Sequence, residues 1–77
     1  MTKLPVIDFR TFSKILKLWG FEAVRQKGSH VIFEHKDGRS IAVPNHPGED
    51  LNRPLMRSML RQIKMSIEDY LDALGKV

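Results

Sequence analysis

The sequence predicts an α+β two-layer sandwich, in which helices cover one face of a three-stranded antiparallel sheet. Three observations predict it: an amphipathic helical pattern near the start, three short strand-like runs joined by tight-turn signals, and a second amphipathic helix with its own cap. An antiparallel sheet can leave one face to water, and each main helix has one apolar stripe to bury against the other.

Asp8 is a suitable N-cap for a first helix over about Phe9 to Trp19, with Gly20 as its stop. Phe9, Phe12, Ile15, Leu16 and Trp19 fall on one face at helical spacing, and Arg10, Lys14 and Lys17 fall on another. The aromatic residues of that stripe read as core, since base stacking would need them exposed. Phe21 to Gln26 is a strand of weak alternation, and His30 to His35 is richer in β-branched and aromatic residues. Lys27-Gly28-Ser29 is the turn between them. Lys36-Asp37-Gly38-Arg39 is a stronger hairpin signal, because Asp-Gly supplies the left-handed conformations of tight turns, and it leads to a third strand over Ser40 to Val43. Pro44 ends the sheet, and Asn45 to Asp50 is an irregular loop. Asn52 caps a second helix with Pro54 in its first turn, where a missing N–H costs least. Leu55, Met56, Met59, Leu60 and Ile63 form its apolar arc. Ser66 with Asp69 resembles a capping box opening a short last helix through about Leu74.

The 77 residues suffice for a single domain, 1–77, with one core. No apolar run approaches the roughly 20 residues of a membrane span, and Met1 to Pro5 lacks the apolar run of a signal peptide. With no cysteine there is no disulfide, thiolate nucleophile or cysteine zinc site, and a reducing cytoplasm is compatible. The net charge of +4 favours an acidic partner, nucleic acid above all. That charge is segregated: Leu51 to Ile67 holds Arg53, Arg57, Arg61 and Lys64 and no acid. Stepped at about 100° per residue, these four form a stripe about 80° wide beside the apolar arc, either a phosphate track or a solvated face.

The sharpest candidate is His30. A histidine beside a tight turn and the cations Arg25 and Lys27 can move a proton on a bound polyanion, because imidazole titrates nearest neutrality. Arg25 and Lys27 would offset charge developing at phosphorus, and backbone N–H groups around Gly28 would add anion contacts. The alternative is a surface histidine beside a hairpin whose Gly28 is needed only for positive φ. Ser29 has no aspartate nearby in sequence to orient a base for it, so a Ser-His hydrolase is disfavoured. His30, His35 and His46 match no common metal-site spacing, and on a straight strand His30 and His35 point to opposite faces. No metal and no cofactor is expected.

These pieces, in this order, make the chain resemble the HicA toxins, a family of small mRNA interferases also called YcfA-like. The resemblance rests on Leu4-Pro5-Val6, Trp19-Gly20-Phe21, Val24 through His30, Asp37-Gly38-Arg39, Val43-Pro44, His46-Pro47-Gly48, Leu55 to Leu60 and Ser66 to Leu71. It departs at Asp8 and Phe9, where many relatives start with Ser-Gly, and at Asn45 and Asp50. The resemblance implies a fold like that of double-stranded-RNA-binding domains. It also implies metal-independent endoribonuclease activity on mRNA that arrests translation, with the essential histidine at His30 and its glycine at Gly28. A HicB-like antitoxin that masks His30 is the implied partner. The second acid/base group is open: a lysine, a water, or the same imidazole acting in sequence. Two other readings remain, a non-catalytic RNA-binding module and a small protein whose basic surface serves an acidic protein partner.

Overall fold

The computed structural model describes residues 4–77. Residues 1–3, at the start of the segment judged to lack a signal peptide, lie outside them. The elements are α1 (Phe9–Leu18), β1 (Phe21–Lys27), β2 (His30–His35), β3 (Ser40–Pro44), α2 (Arg53–Gln62) and α3 (Ile67–Leu74). The strands form one antiparallel meander in the order β1-β2-β3. This is the α+β arrangement that the sequence predicts.

Each expected cap is formed. The Asp8 carboxylate accepts from the Thr11 N–H at 2.9 Å, Asn52 Oδ1 accepts from the Leu55 N–H at 2.9 Å, and Ser66 and Asp69 bond reciprocally. The Thr11 N–H, the main cause, holds the Asp8 carboxyl below the ordinary carboxylate range. Buried side chains come from every layer: Phe12, Ile15 and Leu16 of α1, Val31 and Phe33 of β2, Ile41 and Val43 of β3, Met56, Met59 and Leu60 of α2, and Tyr70 and Ala73 of α3. Phe9 and Trp19 are half-buried and pack on that core, with the Phe9 and Phe33 ring centroids 6.1 Å apart. Tyr70 is fully buried and donates its hydroxyl to the Pro5 carbonyl at 2.7 Å, tying α3 to the lead segment. Burial pushes its phenol pKa up.

Helix α2 stops at Gln62, two residues before the end of the basic stripe. Lys64 has φ +58, its N–H bonds the Arg61 carbonyl, and the Met65 N–H bonds the Leu60 carbonyl. That is a Schellman motif with a lysine where glycine is usual. Lys64 therefore stands beyond the helix, and the angular spacing that put it on the stripe does not apply to it. A left-handed non-glycine residue is strained, so Lys64→Gly is expected to stabilise the fold by about 0.5–1 kcal/mol. Thermal unfolding followed by circular dichroism checks this, with a rise of about 2–8 °C in melting temperature.

Candidate nucleic-acid interface

The hairpin carrying the candidate histidine is tighter than the sequence predicts. Lys27 pairs with His30, so the turn is only Gly28-Ser29, and the three-residue turn beginning at Lys27 is corrected. Gly28 has φ +63 at the first central position, the glycine site of a type II′ turn, which closes the ladder one residue earlier. A Cβ on Gly28 would meet no atom within 4 Å, so backbone conformation and not lack of space calls for glycine here. The Gln26 amide donates to the Gly28 carbonyl at 3.0 Å and steadies the turn.

A second irregularity decides which side chains share a face. The register slips between Ala23 and Arg25, leaving Val24 as a bulge. Residues paired directly across antiparallel strands share a face. Phe21, Ala23 and Gln26 therefore lie on the face that the helices cover, with His35, Phe33 and Val31. Glu22, Arg25 and Lys27 lie on the open face with Glu34, Ile32 and His30. Had all seven residues alternated regularly from Phe21, Arg25 and Lys27 would point toward the helices. The bulge reverses that, and it explains the weak alternation of this strand.

The open face is thus graded. Glu22, Glu34 and Ser40 occupy one end; Arg25, Ile32 and Ala42 the middle; Lys27, His30 and Pro44 the other end. His30, Arg25 and Lys27 are all exposed, and directly paired residues stand about 5 Å apart at Cα. Ser29 is half-buried, and its carbonyl accepts from the Asn45 N–H at 2.6 Å.

The other histidine of β2 has a structural setting. His35 lies on the covered face with its ring edge toward Phe21, centroids 5.0 Å apart, and its Nδ1 accepts from the Asp37 N–H at 3.0 Å. The Asp37 Oδ1 stands 3.1 Å from the same nitrogen. Arg39 donates Nε to Asp37 at 2.8 Å, bonds the Ile63 carbonyl at the end of α2, and stacks its guanidinium 5.1 Å from the Phe21 ring centre. The Arg39 backbone N–H chiefly, with its side chain, holds the Asp37 carboxyl low. Gly20 is required against this cluster, having φ +92 and space for a Cβ only 3.0 Å from His35 Nε2. These contacts join residues far apart in sequence, which is why residue patterns alone did not find the role of Arg39.

The arginines of α2 are not gathered around His30. Arg53 donates Nε to the Leu4 carbonyl at 2.8 Å. Arg57 and Arg61 are exposed and line a shallow surface cavity with Leu60, Met65, Ser66 and Ile67. The start of α2 lies by Pro44, where Leu55 shares a cavity with it, and the last residue, Gln62, donates to the Ser40 carbonyl. Arg61 is therefore at the opposite end of β3 from His30, about 13 Å along the strand. Among the described residues no three His, Asp or Glu side chains converge as a metal site. No described helix is long and apolar enough to cross a membrane.

No curated protein matches the chain. A family model described as the HicA toxin of bacterial toxin-antitoxin systems matches residues 9–65, from the first residue of α1 to the Schellman motif after α2. That span is well over half of the chain and includes the whole sheet and the Gly28-Ser29-His30 turn, so the protein belongs to the HicA toxin family.

Proposed function

We propose that this toxin is a metal-independent endoribonuclease that cleaves mRNA and so inhibits translation. His30 acts as general acid/base, Arg25 and Lys27 hold the scissile phosphate, and Gly28 and Ser29 shape the turn that presents them. The observation carrying this reading is the exposed cross-strand pair Lys27 and His30, with Arg25 next on the same face. Cations set beside an imidazole match the demands of phosphodiester cleavage, which needs a proton moved and negative charge on phosphorus offset. Arg53, Arg57 and Arg61 are lesser contributors, to RNA or to antitoxin binding. The partner is a HicB-like antitoxin that covers His30, and the site of action is the cytoplasm, where mRNA is met.

The second reading is a non-catalytic RNA-binding module. It is favoured by the fact that the cross-strand neighbours of His30, Lys27 and Pro44, include no second group that titrates near neutrality. Purified protein incubated with mRNA in excess EDTA separates the two. The expected result is cleavage that persists in chelator. Salt-sensitive binding without cleavage would support the second reading, and cleavage abolished by EDTA would overturn the metal-free mechanism.

A further inference from the structure

Resting on the reading that RNA meets the open face of the sheet, we propose that Glu22 and Glu34 are specificity-determining residues that bound its track. The RNA backbone then crosses the strands along Lys27, His30 and Pro44 and does not run down them. Glu22 and Glu34 are paired directly, on the same face as Arg25, Lys27 and His30, and both are exposed. Like charges directly opposite each other destabilise a sheet, so the fold itself does not call for this pair. Nor is the pair neutralised. Among the described residues the close charge pairs use Asp37 and Asp72 and neither glutamate. Lys36 lines a cavity with both glutamates and Lys17 lines one with Glu22, each without forming an ion pair.

The spacing decides where the two acids act. At about 3.3 Å per residue, Glu34 stands about 13 Å along β2 from His30, and the row of Arg25 and Ile32 lies halfway, about 7 Å from each. Charges are screened over about 8 Å at physiological salt. A phosphate held by Lys27 at His30 is therefore beyond the reach of the carboxylates, whereas one placed past Arg25 lies within it. A chain running along β2 would bring its next phosphates onto the acid row and be repelled. A chain crossing at the hairpin end meets Lys27, His30 and Pro44, a row that contains no acid. The face selects among RNA paths by repulsion at one end as well as attraction at the other.

The test is binding of a 2′-O-methyl oligoribonucleotide, which has no 2′-hydroxyl to react, measured by fluorescence anisotropy at low and at high salt. The wild type is compared with Glu22→Gln plus Glu34→Gln, and with Glu68→Gln plus Asp72→Asn, which make the same change of net charge at exposed positions of α3. The sheet variant should bind about 3- to 10-fold tighter at low salt, with the gain lost at high salt, and the α3 variant should gain about 2-fold or less. The melting temperature of the sheet variant should equal or exceed that of the wild type.

Equal tightening by both variants, or none by the sheet variant, overturns the boundary while leaving RNA binding standing. Unchanged RNA affinity with a weakened hold on the co-expressed antitoxin overturns it in favour of a protein contact. A wild type that binds no RNA at low salt overturns the RNA reading of this face, and the boundary with it.

Discussion

His30→Ala is expected to relieve growth arrest in cells expressing the toxin and to slow RNA cleavage by about 10²- to 10⁴-fold, the usual contribution of a general acid or base. The fold should not register the change. His30 is exposed at the end of β2 and on the open face, outside the buried core. Its backbone bonds in the ladder are kept by alanine. Surface substitutions of this kind ordinarily move stability by no more than about 0.5 kcal/mol. The measurement is therefore paired: growth must recover and cleavage must fall while the melting temperature stays put. Cleavage equal to that of the wild type would remove the catalytic role, and a large drop in melting temperature would make the loss of activity a folding effect.

The opposite pattern is expected at Phe33. This side chain is fully buried at the middle of the central strand, between Ala23 and Ile41 in register, and its ring meets Phe9. Phe33→Ala removes the largest apolar group of β2 and leaves a cavity bounded by both layers, at a cost of about 3–5 kcal/mol. A domain of this size has a total stability of only about 4–12 kcal/mol. The melting temperature should therefore fall by about 12–40 °C, read by thermal or urea denaturation. A fall of only a degree or two would mean that the core is not organised around β2.

Local signals made most of the fold legible. Asp8, Asn52 and the Ser66–Asp69 pair cap their helices because an oxygen at that position satisfies free N–H groups within one turn, which a short stretch of sequence contains. The apolar stripes of α1 and α2 likewise carry their own period. What was not legible depends on a partner strand or helix. The Val24 bulge exists only in the pairing with β2, and the two-residue turn is fixed by which residue closes the ladder. The approach of the His46 loop to Ser29 is a tertiary contact, although the parity of a meander does put the segment after β3 at the same end as the turn between β1 and β2. The basic stripe is shorter than helical stepping gives for the same reason: the stepping carries no sign of the end of α2 at Gln62, which leaves Lys64 off the helix.

The bulge has one more consequence, which concerns how this gene can tolerate loss of a codon. Val24 opposes no partner of its own, so without it the pairs on both sides, Ala23 with Phe33 and Arg25 with Ile32, could close up unchanged. Loss of Ile32 would instead put the two halves of β2 out of phase, turning residues meant for water toward the helices. Two neighbouring strands thus have opposite sensitivities to the same kind of genetic event, and β1 contains the position where a single-residue deletion is silent in register.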